Sequence, residues 1–522
     1  MSRWLVLVSL LASCGSDPVV LPATDPASLS PTLEALATMG QKQASTAGGM
    51  MAASYIQNRF TELGLANVHV EQFGFPRWEL QSASLGVTID GVVSSPGFDV
   101  FEASGSGTAD AQIVDAGNAN DTALTGLDLT GKIALVRRDP SFHRSSQLRN
   151  VAAKGALAML YLSIAPQNLR QVGSVRLDWE AQDAIPAITI GADDAAMIKT
   201  ALGAGKTVTA QIAVVATSTP ATGTNVVATI EGEVPDQIVC GAHYDTWFTG
   251  SSDNGSGVAE LLEVAHRRVQ RGKPHFTTVF VAYDGEEIGL YGGYDYYRKH
   301  AIVKAEPLLA VLNFESPSAN NPDIAGLAHS NQPKLDAALQ QAHLRSLYST
   351  YTGLEVVAEL FGGIIPTDIQ GDYRSGTPTA STAVTNPYYH TMMDTPDKVD
   401  LELLALSIDY FDLALTNLNS LGPDDLKMAD PTLWKATVTG SSPATITVTD
   451  ASGARQPNAV VKAAVLVDDF MMSDRVTTMT DGNGVATVMF ASGALTQGAG
   501  NRFLHVTAGP TYPLVEKIVP LP

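Results

Sequence analysis

His243 stands directly after the apolar run Ile238 to Ala242, and Asp245 follows two residues on. A metal-bound histidine commonly donates its second ring N–H to a carboxylate, and Asp245 is near enough to serve. Asp253 lies in Ser252-Asp253-Asn254-Gly255-Ser256-Gly257. Its glycines permit a tight turn, and a carboxylate with both oxygens presented there can bridge two cations. Glu286 and Glu287 follow the apolar run Thr277 to Ala282. Adjacent acids at a buried strand end repel, and loss of water raises both pKa values unless cations are near. Their chemical use is a division of labour, one binding metal while its neighbour takes a proton from metal-activated water. Glu315 ends the run Leu308 to Phe314, and His390 arrives in Tyr388-Tyr389-His390 ahead of Asp394 and Asp397. A lone HxD or Glu-Glu is usually an ordinary surface or core feature. His, Asp, Glu, Glu and His from separate loops together specify a zinc site.

These groups need a scaffold that brings strand ends to one rim. Asn225 to Ile230 and Gln237 to Ala242 read as strands, and Gly257 to Gln270 as a helix with one apolar face. Thr277 to Ala282 and Leu308 to Phe314 are continuous apolar runs, the mark of strands buried on both faces. Leu401 to Leu418 is a long helix. The expected fold class is α/β, a mostly parallel sheet flanked by helices, with ligands outside the carboxyl ends of the strands. Pro31 to Leu65 adds helix, and Val68 to Val70 begins a strand. Between about Arg77 and Thr217 the chain turns β-rich. It holds a strand–helix–strand unit (Gly131 to Arg137, Arg144 to Ala156, Ala158 to Leu162), then a strand Ile185 to Ile190 and a helix Asp193 to Leu202. After Gly422, short strands at Ala444 to Asp450, Ala459 to Val467, Val485 to Phe490 and Phe503 to Val506 spell a β-sandwich. Asp450 and Asp481 read there as turn formers rather than calcium ligands.

At 522 residues the chain holds several domains, and 45% hydrophobic residues supply sizeable cores. A net charge of −21 argues against nucleic acid or an anionic membrane as partner. Met1 to Arg3, Trp4 to Ala12 and Leu11-Ala12-Ser13-Cys14 form a basic start, a short apolar run and a lipobox-like end. That pattern predicts an exported bacterial envelope lipoprotein, of the outer membrane or cell surface, touching membrane only through a lipid on Cys14; the alternative is a plain cleaved signal with an incidental cysteine and a secreted protein. Cys240, the other cysteine, reads as an inert buried thiol.

The residues above resemble the M28 co-catalytic zinc exopeptidases. GKIALVRR at Gly131 to Arg138 and IPAITI at Ile185 to Ile190 resemble the protease-associated (PA) domain. Thr480 to Phe490 resembles the ending of bacterial Ig-like modules. With the N-terminal pattern read as a signal peptide at 1–14 and a tether at 15–30, the resemblances imply a zinc peptidase domain at 31–75 and 222–424, a PA insert at 76–217 and an Ig-like sandwich at 425–522. The M28 resemblance implies two zinc ions, one held by His243 and Glu315, the other by Glu287 and His390, with Asp253 bridging. Glu286 becomes the general base, Asp245 the partner of His243, and Tyr389 a candidate oxyanion donor. Thr367-Asp368 matches a Ser-Asp pair near the family's pocket, and the Asp253–Asn254 peptide is expected cis. Glu315 departs from the more usual Asp. The expected activity is aminopeptidase action on peptides with a free N-terminus, with the PA domain controlling access. Competing readings are a carboxypeptidase using Arg298 and Arg374, a single-zinc glutaminyl cyclase, and a non-catalytic surface adhesion protein.

Overall fold

The computed structural model describes residues 21–139, 143–176, 185–317, 326–330, 332–342, 351–360, 364–383, 386–426, 434–450, 452–467, 471–490, 502–510 and 515–521. The signal segment, Cys14 and the first part of the tether lie outside them. The rest of the tether is not free. Thr24 donates its N–H (3.0 Å) and hydroxyl (2.7 Å) to Asp409, Arg267 donates to the Pro22 carbonyl at 2.9 Å, and Leu29 is buried. An apolar side chain and charge-assisted hydrogen bonds dock this stretch on the body.

Helices α1 (Ser30–Ala37) and α2 (Ala47–Glu62) follow, the second capped by the Thr46 hydroxyl accepting from the Gly49 N–H at 3.2 Å. The chain then leaves along β1 (Ala66–Ile89). The insert comprises β2 (Val92–Ser94), β3 (Phe98–Val100), β4 (Gly107–Asp115), β5 (Ile133–Arg137), α3 (Arg144–Ala153), β6 (Ala158–Leu162), β7 (Ala187–Ile190) and α4 (Ala192–Gly203). The chain returns along β8 (Val208–Ile230), antiparallel to β1 from Ala66 opposite Thr229 to Ile89 opposite Val208. One end of β8 gives Val208, Ala210, Ile212 and Val214 to the insert's core; the other gives Val226 and Ala228 to the peptidase core. Both expected domain boundaries therefore fall inside paired strands. The joint is a two-stranded ribbon whose strands are paired to each other, not a linker.

Next come β9 (Val234–His243), α5 (Ser256–Arg271), β10 (Phe276–Tyr283), α6 (Tyr291–Tyr297), β11 (Leu308–Asn313), β12 (Gly326–His329), α7 (Pro333–Gln341), β13 (Tyr351–Gly353), α8 (Leu354–Leu360), α9 (Gln370–Ser375), β14 (Thr379–Ala383) and α10 (Leu401–Leu418). The sheet here runs β13-β12-β14-β11-β9-β10-β8. Its centre, β14-β11-β9-β10, is parallel, whereas β8 and β12 run antiparallel to β10 and β14. The sheet is thus mixed, because β8 enters from the insert in the opposite sense. The apolar runs of β9, β10 and β11 lie between two layers. One holds Leu33, Ile56, Leu261, Ala265 and Phe411, and the other Tyr296, Leu354 and Ile369. Cys240 sits opposite both Phe280 and Leu312, fully buried, and burial pushes its thiol pKa up.

The C-terminal part folds as β15 (Trp434–Thr439), β16 (Ala444–Asp450), β17 (Val460–Val467), β18 (Met471–Met479), β19 (Val485–Val488), β20 (Arg502–Gly509) and β21 (Val515–Leu521). Sheets β15-β16-β19 and β18-β17-β20-β21 enclose Ile446, Val448, Val461, Val465, Leu504 and Val506. Asp450 accepts N–H groups of Ser452 and Ala454, and Asp481 those of Asn483 and Val485, so both close their own turns. Phe503 and Ile518 pack into one cluster with Tyr294 and Tyr297 of α6. No helix among the described residues is long and apolar enough to cross a membrane.

Candidate metal centre

Strand register builds the site. His243 is the last residue of β9 and pairs with Tyr283, the last of β10; the turn carrying Glu286 and Glu287 follows at once. Asn313 ends β11 opposite Gly241, so Glu315 emerges on the same rim. Asp253 sits in the kinked turn before α5, and its peptide bond to Asn254 is cis. His390 comes from the loop before α10, with left-handed backbone at φ 57°.

The side chains converge as two triads, His243–Asp253–Glu315 and Asp253–Glu287–His390, with the ligand atoms of each within 4.8 Å of one another. Asp253 belongs to both. Its Oδ1 lies 3.4 Å from His243 Nε2, and its Oδ2 lies 3.0 Å from His390 Nε2. Glu315 Oε1 stands 3.3 Å from His243 Nε2, and Glu287 Oε2 stands 3.0 Å from His390 Nε2.

Hydrogen-bond partners decide what these contacts mean. His243 Nδ1 faces the Asp245 carbonyl at 3.0 Å, and His390 Nδ1 faces the Val172 carbonyl at 3.1 Å. A carbonyl only accepts, so both Nδ1 atoms carry the proton. Burial holds the pKa of His390 down at about 4, against Asp253, which raises it, and with Arg144 and Arg138 lowering it further. Neutral at pH 7, His390 turns a lone pair towards carboxylate oxygens. Its Nε2 and the Oε1 of Glu287 are buried without a hydrogen-bond partner. Acceptors facing acceptors in a dry site are reconciled by a proton or a cation between them, and imidazole plus carboxylate suits a divalent metal. At His243, burial alone would lower the pKa, but Glu315, Glu286, Asp245 and Asp253 hold it well above its usual value. The residues present fit two cations.

Surrounding groups aim the triads. Asp245 does not chiefly grip His243 with its carboxylate, which lies 3.5 Å from Nδ1. Its two oxygens instead accept the N–H groups of Glu286 and Glu287, each at 3.1 Å, and so fix that turn. Asp394 likewise accepts from the N–H groups of Ser252 (2.9 Å) and Asp253 (3.1 Å). Trp247 Nε1 donates to Glu287 at 2.8 Å, and Thr367 Oγ1 to Glu315 at 3.1 Å. Sequence reading missed the roles of Trp247, Asp394 and Val172; an indole near the first histidine was the only available signal. Glu286 is half-buried, with no hydrogen bond to its carboxylate among the described residues. Burial pushes its pKa well up; Glu315, Glu287 and Asp368 add to this and His243 opposes. Asp368 is buried beside them with both carboxylate oxygens unpartnered. Tyr389 stacks on His390, ring centroids 3.7 Å apart, under the Arg138 guanidinium. Of the two arginines considered for a carboxylate, Arg298 is paired with Asp295 at 2.7 Å and lies over Phe503. Arg374 is buried on α9.

Parallel strands ending at two acid–histidine triads that share an aspartate define a class, the α/β proteins with candidate metal ligands at the carboxyl rim of the sheet. Residues 225–411, which contain both triads, match peptidase family M28, and residues 104–198 match the PA domain. That family match lies wholly within the α/β domain that carries both triads. A probable glutamate carboxypeptidase of Arabidopsis thaliana is 30% identical over 195 residues, 33% of this chain and 27% of that protein. A probable leucine aminopeptidase of Trichophyton verrucosum is 29% identical over 198 residues, 34% of this chain and 51% of that one. The chain thus spans between about a quarter and a half of these relatives. An aminopeptidase from Aneurinibacillus sp. strain AM-1 superposes with a TM-score of 0.56 at 24% identity, covering 75% of this chain and 93% of that one. The zinc aminopeptidase BSAP of Bacillus subtilis gives 0.58 at 19%, covering 78% and 99%. At such identities the likeness is one of fold.

Proposed function

We propose that the chain is a zinc-dependent exopeptidase holding two zinc ions and removing N-terminal residues from peptides. The observation that carries this reading is the pair of triads sharing Asp253, with the unengaged carboxylate of Glu286 beside them. His243 and Glu315 would hold one ion, Glu287 and His390 the other, and Asp253 both. Bound there, the ions would polarise the scissile carbonyl and make water a nucleophile near neutral pH. Glu286 takes a proton from the attacking water as its oxygen bonds to the carbonyl carbon. It returns that proton to the amide nitrogen as the C–N bond breaks. Asp245 moves no proton in this scheme; it keeps Glu286 and Glu287 aimed. Tyr389, whose hydroxyl burial keeps protonated, is assigned packing on His390 and donation to the oxyanion. Asp368, a buried acid beyond the ligand set with both oxygens unpartnered, suits a substrate α-ammonium, and the fungal relative is named a probable leucine aminopeptidase and both fold neighbours aminopeptidases. Hydrolysis of leucine anilide should vanish with a chelator and return with zinc. No activity after zinc is restored would reject the reading.

A carboxypeptidase is the second reading, favoured by Arg138 and Arg144, whose positive charge reaches Tyr389, His390 and Glu287. Peptides blocked at the N-terminus separate the two, because only a carboxypeptidase cleaves them. We also propose export and lipid attachment at Cys14. A diacylglyceryl mass on the mature N-terminal cysteine is expected; an unmodified N-terminus would contradict it.

A further inference from the structure

We propose that the inserted PA domain is a working part of the second metal subsite. Its segment 171–174 sets the tautomer, ring orientation and backbone of His390, so that occupancy of this subsite depends on the insert being docked. The proposal rests on reading His390 as a ligand. The two histidines are held differently. His243 donates Nδ1–H to Asp245, two residues away in its own domain. His390 donates to Val172 of the insert at 3.1 Å, and the Val172 N–H returns a bond to the His390 carbonyl at 3.0 Å. Beside this reciprocal pair, Gln171 Nε2 donates to the Tyr389 carbonyl at 3.1 Å, from a side chain only 3% exposed. Three bonds from the insert thus grip two consecutive residues.

Backbone conformation explains why such a grip is needed. His390 lies at φ 57°, where a non-glycine residue stays only if its surroundings over-determine it. The gripping segment is itself braced within the insert. The Glu102 N–H donates to the Gly173 carbonyl at 3.0 Å, and Arg144 Nε to the Ser174 carbonyl at 2.7 Å. Glu102 also accepts from the Ser174 hydroxyl. Gly173 lies at φ 136°, where a side chain is strained, and a Cβ there would push against the Arg144 guanidinium. Partners of a ligand's second nitrogen fix its tautomer and strengthen its hold on metal, and losing them typically weakens affinity roughly 10- to 100-fold. Here that partner belongs to the domain expected only to govern access. The first subsite is assembled by the peptidase domain alone; the second is assembled by two domains.

The asymmetry supplies the test. Gln171→Glu preserves size but faces the Tyr389 carbonyl with an acceptor, and Gly173→Ala crowds Arg144. Neither replaces a proposed ligand or Glu286. Full-length protein, stripped of metal, is titrated with zinc by calorimetry, and the melting temperature of each metal-free form is recorded. Wild type should take two equivalents. Both variants should keep one affinity unchanged and lose roughly 10- to 100-fold in the other, whatever their metal-free melting temperature. Two equivalents with both affinities unchanged in the variants would overturn this proposal alone. So would equal weakening of both subsites accompanied by a lower metal-free melting temperature, the mark of a general folding defect. Fewer than two equivalents in wild type would overturn the paired-cation reading, and this proposal with it.

Discussion

Glu286 and Glu287 are neighbours of one type that their surroundings make unequal. Glu287 is fixed by the Trp247 indole and faces His390, whereas the Glu286 carboxylate is left unengaged. Glu286→Gln should therefore keep its metal while turnover falls on the order of 10²- to 10⁴-fold, the usual worth of a general base. Metal analysis beside the rate decides this, since loss of zinc in that variant would mean the two roles are exchanged. At this scale the sequence was informative for one physical reason: metal-seeking side chains directly follow apolar runs, so strand ends and ligands announce each other. Residues that act through backbone groups carry no such mark. Val172 contributes a carbonyl, and Asp394 serves two N–H groups. Asp245 was noticed for its spacing, but its carboxylate chiefly holds the next strand's turn, which only register reveals.

Between α5 and α10, Glu260 is fully buried, with Ser407 donating to one oxygen at 2.6 Å and the other oxygen unpartnered. Burial raises its pKa to about 8 from an ordinary 4.5, the Ser407 bond opposing. Folded protein thus keeps a proton that the unfolded chain releases between those values, so stability falls as pH rises from 4.5 to about 8 and then levels. Glu260→Gln should remove that slope and stabilise the protein at pH 7 by on the order of 3 kcal/mol. Urea unfolding at pH 5 and pH 8 checks it; an unaltered slope would show that Glu260 is ionised in the fold. Among elements, the central strands were legible because burial on both faces demands unbroken apolar runs. The β1–β8 ribbon was not. Its exposed middle is polar and sets Pro76 opposite Pro220, a composition that reads as a turn between domains. Prolines are tolerated there because an exposed two-stranded ribbon leaves outward positions that need no N–H.

Across the whole molecule, insert and sandwich both press on the peptidase domain. The sandwich does so through Phe503, 2% exposed, under Arg298 and against the cluster containing Tyr294 and Tyr297. Phe503→Ala should cost about 3–5 kcal/mol of stability, the usual range for a buried phenylalanine, read from its unfolding midpoint. A loss confined to a separately melting sandwich would show that the domains do not support each other. Such docking was beyond sequence reading, because interface residues share the apolar character of core residues. We propose that a pair of cations shares Asp253. Anomalous diffraction at the zinc edge from zinc-loaded crystals tests it most directly. Two peaks are predicted, one bonded to His243 and Glu315, the other to Glu287 and His390, and both to Asp253. A single peak on one triad, or none at either, would contradict it.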